Sequence, residues 1–161
     1  MKGPVRDPVT AFVALGANLG DAQRTVVQAL EALAGLPSTQ LLRSSRLYRT
    51  APVQAQGPDF INAVAQIDTR LTAPALLAAL QDLENQAGRV RPYVNAPRTL
   101  DLDLLMFGQS SMQSARLTLP HPRWRERAFV LRPLADLAPE LVTAADWSRV
   151  ASQAIALVTQ P

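Results

Sequence analysis

The spacing of apolar residues changes in a fixed order along this chain, and that order constrains the fold more than any bulk property does. "TAFVALG" (Thr10–Gly16) is a short apolar strand ended by glycine. Asp21 then stands as an N-cap before Val26, Val27, Leu30 and Leu33, which share one face of a helix running to about Ala34. "GLPST" breaks that helix. Residues 40–49, "QLLRSSRLYR", and Phe60–Thr69, "FINAVAQIDT", read as a pair of strands around a loop rich in Pro, Gly and Gln. In the second strand Ile61, Ala63, Ala65 and Ile67 take one face and Asn62 the other. Thr72 and Pro74 open a second helix, "APALLAALQDLENQAG", closed by Gly88 at the C′ position. After an Arg- and Pro-bearing loop comes the apolar run "LDLDLLMF". The resulting order is β-α-β-β-α-β, an α+β arrangement of the ferredoxin-like kind, with helices packed on an antiparallel sheet. The C-terminal part adds a hairpin at 105–119, a short helix near 128–137 and a last helix at about 145–158. Residues 1–8 read as a loose lead to a single domain spanning 1–161, and Gly16 and Gly20 as turn residues between the first strand and helix.

Composition removes several classes of chemistry. The chain has 161 residues, 48% hydrophobic and 18% charged, which is the balance of a globular protein with a sizeable core. It has no cysteine, so neither a thiol nucleophile nor a Cys-based zinc site is open to it. His121 is the sole histidine, which excludes a multi-histidine metal site. No apolar run is long enough to span a bilayer, and "MKGPVRDP" leads into no signal core; the expected address is the cytoplasm. Lys2 is the only lysine, and many of the arginines gather in the second half: Arg89, Arg91, Arg98, Arg116, Arg123, Arg125, Arg127 and Arg132. Arginine is suited to planar, bidentate recognition of phosphate.

Within "LDLDLLMF", Asp101 and Asp103 alternate with Leu100, Leu102 and Leu104. Aspartate is a poor strand former, so two in alternation mark either a solvated edge or a site that needs them. On a strand both carboxylates face one side, with Cα atoms roughly 6.6–6.8 Å apart. Carboxylates held that close repel unless a cation intervenes. Magnesium suits such a pair, because it is bound through one or two carboxylates plus substrate phosphates. Two ions about 3.5–4 Å apart would clamp a polyphosphate there. Acids for metal and arginines for phosphate together describe phosphoryl transfer, and the P-loop signature G-x-x-x-x-G-K-[ST] does not occur.

Over about residues 9–142 the chain resembles the 6-hydroxymethyl-7,8-dihydropterin pyrophosphokinase family. The pieces that carry the resemblance are "ALGANLGD" (14–21), "SRLYRTAPV" (45–53), "DFINAV" (59–64), "LENQAGRVR" (83–91), "APRTLDLDLLMFG" (96–108) and "RLTLPHPRWRERAFVLRPLADLAPE" (116–140). The combination of "PRTLDLD", "LPHP" and R-x-F-V-L-x-P-L is highly specific. The resemblance implies transfer of the pyrophosphate of ATP to the pterin hydroxymethyl group, releasing AMP, with two Mg2+ ions. It implies Asp101 and Asp103 as metal ligands, and Arg89 and Arg98 as catalytic arginines on the polyphosphate. Gln81, Glu84, Arg91, Arg116, Thr118, His121 and Arg127 fall on the ATP side. Thr50, Phe60, Asn62 and Phe129 fall on the pterin side. The two phenylalanines would sandwich a flat ring and Asn62 would read its amide-like edge.

The chain departs from the family pattern in places. Asn95 and Ala96 stand where relatives commonly have Trp and Gly, the 89–98 loop is one residue short, and Phe60 replaces a frequent Tyr. None of these touches the aspartates. An RNA-binding module shares the β-α-β-β-α-β order, but aromatics are only 5% and the candidate strand carries acids where RNA phosphates would lie, so no nucleic acid is expected as a partner. A catalytically impaired relative that still binds ATP and pterin is the alternative. It would be expected to lose the aspartates or arginines, which are present. A monomer is expected.

Overall fold

The computed structural model describes residues 6–52, 57–88 and 100–159. In chain order they form β1 (Val9–Ala17), α1 (Ala22–Ala34), β2 (Thr39–Ser44), β3 (Tyr48–Thr50), β4 (Phe60–Thr69), α2 (Ala73–Ala87) and β5 (Asp101–Phe107). There follow β6 (Met112–Gln113), β7 (Thr118–Leu119), α3 (Ala128–Leu137), α4 (Ala144–Arg149) and β8 (Ala156–Leu157). The main sheet runs β5–β1–β4–β3–β8, with β2 also on β4, and its neighbours are antiparallel. This is the expected antiparallel sheet carrying helices.

Both faces of the sheet are covered. Val13, Leu15, Ile61, Ala63, Leu102 and Leu104 pack against Val26 and Leu33 of α1 and Leu76 and Leu80 of α2. Phe12, Ala14, Val64 and Leu105 pack against Trp124 and against Val130, Leu131 and Leu134 of α3. Burial on both sides explains why "AFVAL" is a continuous apolar run rather than an alternating one. The helices start where the sequence signals say. Asp21 accepts the Arg24 N–H at 3.1 Å and Thr72 the Ala75 N–H at 3.2 Å, each satisfying an orphan donor of the first turn.

Four expectations need correction. The run 40–49 is divided into β2 and β3, because Ser45 exchanges two bonds with Val64: its hydroxyl accepts the Val64 N–H and its own N–H donates to the Val64 carbonyl, each at 2.9 Å. A serine side chain bonding to backbone in this way competes with the regular ladder. Gly16 lies inside β1 and not in a turn, whereas Gly20 at φ +60° is a turn residue. Gly88 closes α2 through its N–H to the Glu84 carbonyl, but it stands at the C-cap and not one residue beyond it at C′. The last helix stops at Arg149, and Ala156–Leu157 instead pair with β3, whose edge offers unmatched backbone groups. The hairpin near its expected place is formed by β6 and β7 alone.

An irregularity in the β1–β5 pairing ties the histidine segment to the strand of the aspartates. The β1–β5 register slips between Phe12 and Val13, which makes Leu105 a bulged residue. Leu104 then serves the α1/α2 core while Leu105 serves the α3 core. The Leu105 carbonyl is left to accept the N–H of His121 at 2.8 Å.

Candidate active site

Leu102 and Leu104 point into the α1/α2 core, so Asp101 and Asp103 face the α3 side by alternation. Asp101 is exposed and Asp103 half-buried. Ala14 is paired with both Asp103 and Val64, and Gly16 with both Asp101 and Asn62. Along β1, residues Phe12, Ala14 and Gly16 share that face. α3 and Trp124 seal it at Phe12 and Ala14, both buried, and the cover ends at Gly16, which is half-exposed. The site therefore opens at the end of β1 where the second core stops.

Beside Asp103 lies a cleft of about 270 Å³ lined by Leu77, Leu102, Asp103, Arg116, Thr118 and His121, among others. The family resemblance implied Arg116, Thr118 and His121 on one side, and the fold brings them together with Asp103. Gln81 is exposed one turn along α2 from Leu77. Burial lowers the pKa of His121, Arg127 and Arg123 push it the same way, and Asp103 opposes them. His121 Nδ1 accepts the Arg123 N–H at 3.1 Å, so the neutral ring carries its proton on Nε2. Glu84 is only 8% exposed, and its Oε2 accepts the Leu102 N–H at 2.8 Å. It thus joins α2 to the backbone between the two aspartates. This bond is to the strand that carries them, a role that Glu84's place in the sequence did not indicate.

On the other side of Gly16, Thr50 pairs with Phe60 and Tyr48 with Asn62 across β3 and β4. Asn62 is not a solvent-facing polar residue; it is 4% exposed and donates from Nδ2 to the Thr50 hydroxyl at 2.9 Å. Phe60 and Phe129 are half-buried, and neither belongs to a fully buried core. The Arg127 guanidinium sits 5.4 Å from the centroid of the Phe129 ring, so residues expected on the ATP side and the pterin side meet at the start of α3. Arg89, Arg91 and Arg98 lie outside the described residues.

Several positioning residues were not singled out from sequence. Tyr48, 2% exposed, donates its hydroxyl to Asp136 of α3, and Arg46 reaches the same carboxylate at 2.7 Å. Burial pulls the Asp136 pKa up, but the Arg46 and Tyr48 hydrogen bonds outweigh it and hold it below the usual value. This joint fixes α3, and hence Phe129, over β3. Gln153 grips the other end of that region: its Oε1 accepts the Ala128 N–H at 2.8 Å and its Nε2 donates to the Glu126 carbonyl at 2.9 Å. Asp146 accepts from Arg125, Arg149 and the Thr143 N–H. The only available signal for that residue was the spacing of Thr143 and Asp146, which form a capping box.

Among the described residues no group of three or more His, Cys, Asp or Glu could hold a metal ion by itself. Asp101 and Asp103 supply hard oxygen donors only, which fits magnesium completed by substrate phosphates and not a closed protein cage.

The family model for 7,8-dihydro-6-hydroxymethylpterin-pyrophosphokinase (HPPK) matches residues 12–139, and the chain belongs to that family. It is 48% identical over 131 residues to the Pseudomonas aeruginosa protein named 2-amino-4-hydroxy-6-hydroxymethyldihydropteridine pyrophosphokinase, covering 81% of each chain. The Haemophilus influenzae protein of the same name is 43% identical over 135 residues, covering 83% of this chain and 84% of its own. Among solved structures, an HPPK-DHPS in complex with substrates superposes with a TM-score of 0.68 at 13% identity, a likeness of fold. That match covers 91% of this chain and 43% of the longer one. Wild-type Plasmodium falciparum HPPK-DHPS gives a TM-score of 0.66 at 13% identity, covering 86% of this chain and 42% of its own.

Proposed function

We propose that this chain transfers the pyrophosphate of ATP to the hydroxymethyl group of 6-hydroxymethyl-7,8-dihydropterin, giving AMP and the pterin-methyl diphosphate in tetrahydrofolate biosynthesis. The observation that carries this reading is the row Asp101–Gly16–Asn62, which sets the acids and a buried amide on one face of adjacent strands in a member of this family. We read the α+β fold as ferredoxin-like, the chain as one domain acting as a monomer, and its compartment as the cytoplasm.

Asp101 and Asp103 would hold two Mg2+ ions, which supply charge neutralisation on the polyphosphate. Arg116, Thr118 and His121 line the cleft next to Asp103 and take the nucleotide, and we assign Gln81, Glu84, Arg91 and Arg127 to the nucleotide with them. A neutral His121, whose Nδ1 is taken by the Arg123 N–H, donates from Nε2 to a phosphate oxygen. Arg89 and Arg98 belong to the transferring phosphates. Asn62, with Nδ2 committed to Thr50, presents Oδ1 to a ring N–H of the pterin, while Phe60 and Phe129 take its faces. In this chemistry positioning and charge neutralisation supply most of the rate, which fits a site without an evident base.

The test is product analysis of purified protein with MgATP and the pterin, resolving AMP from ADP. AMP formed with the pterin diphosphate, and lost in Asp101→Ala and Asp103→Ala, is expected. ADP as the product would refute pyrophosphoryl transfer.

A further inference from the structure

We propose that Gly16 is a substrate-positioning residue whose missing side chain leaves the floor over which the hydroxymethyl arm of the pterin passes from Asn62 to the aspartates. This rests on assigning Asn62 to the pterin and Asp101 to the metal-bound polyphosphate.

The backbone does not ask for glycine here. Gly16 lies within β1, and among the described residues the glycines with positive φ are Gly20, Gly57 and Gly108. In a strand paired on both sides a glycine contributes no side chain to the sheet, so its presence needs another cause. Packing supplies none. A Cβ built on Gly16 would stand 3.4 Å from Asn62 Oδ1 and 4.0 Å from the Ile61 carbonyl, ordinary contacts that the fold can accept.

What a methyl group would occupy is the space between the two halves of the site. Gly16 is the direct partner of Asn62 on one side and Asp101 on the other. Two strand spacings put those residues about 10 Å apart, with only the glycine backbone between them. Side chains along this face shrink from Phe12 through Ala14 to Gly16 as the cover of α3 ends. Asn62 has its Nδ2 on Thr50, and Oδ1 is the atom nearest the Gly16 floor. A flat ring bonded to Oδ1 must run over Gly16 to bring a substituent to Asp101, and a Cβ would lift it off that path.

The test compares Gly16→Ala with Asn62→Ala and the parent enzyme, measuring Tm and the KM for pterin and for ATP separately. Gly16→Ala is expected to keep or raise Tm, leave the ATP KM unchanged and raise the pterin KM by about tenfold or more, the effect of one methyl in a close-fitting site. If Asn62→Ala weakens pterin binding but Gly16→Ala does not, the proposal is overturned while the site assignment stands. If Asn62→Ala has no effect on pterin KM, the site assignment itself fails. A fall in Tm with equal losses for both substrates would make Gly16 a packing residue and overturn the proposal.

Discussion

Replacing Glu84 separates its hydrogen bond from its charge. The Glu84 carboxylate is buried and accepts the Leu102 N–H at 2.8 Å, on the side of β5 away from β1. In Glu84→Ala that N–H loses a charged acceptor in a place little reached by water. A hydrogen bond to a charged group contributes about 1.5–3 kcal/mol, and a buried donor left unsatisfied costs about as much, so a loss of about 2–3 kcal/mol is expected. At about 2–4 °C per kcal/mol for a chain of this length, Tm should fall by about 5–10 °C. Glu84→Gln keeps a neutral acceptor and should lose only about 1 kcal/mol. Thermal and urea unfolding give both values, and MgATP titration gives the functional consequence. Because Leu102 lies between the aspartates, Glu84→Ala should also weaken MgATP binding more than Glu84→Gln does. Equal stability of the two variants would refute the bond to Leu102 as the tie that holds this strand.

Two further outcomes follow from the α3 side of the site. At Asp146 burial raises the pKa, but the Thr143 N–H, Arg149 and Arg125 together leave it below its ordinary value. A carboxylate depressed on folding adds stability above its unfolded pKa of about 3.9 and loses it as pH falls through the folded value. Asp146→Asn should therefore lower Tm at pH 7 and flatten its decline below about pH 4; an unchanged acid slope would exclude Asp146 as a contributor. Gln153→Ala removes the acceptor for the first N–H of α3 and should cost about 1 kcal/mol, with a larger rise in pterin KM than in ATP KM. Gln153→Glu keeps that acceptor but sets a carboxylate against the Glu126 carbonyl, so a Tm equal to the parent's would refute the two-bond grip.

What the sequence determined by itself is local. Period and capping residues gave both helices on the first face of the sheet, with Asp21 and Thr72 as caps, because those signals act within a few residues. The alternation of Asp101 and Asp103 with leucines likewise placed the acids on one face. Register was not legible, since pairing joins residues far apart in the chain and one slip reverses every side chain. Only the tertiary structure put Gly16 between Asp101 and Asn62, where the sequence suggested a turn. The same holds for Ser45 dividing the run 40–49, for the end of the last helix at Arg149, and for Asp136 and Gln153 as anchors of α3. Each depends on groups that distant segments bring together, a property that residue type and spacing do not carry.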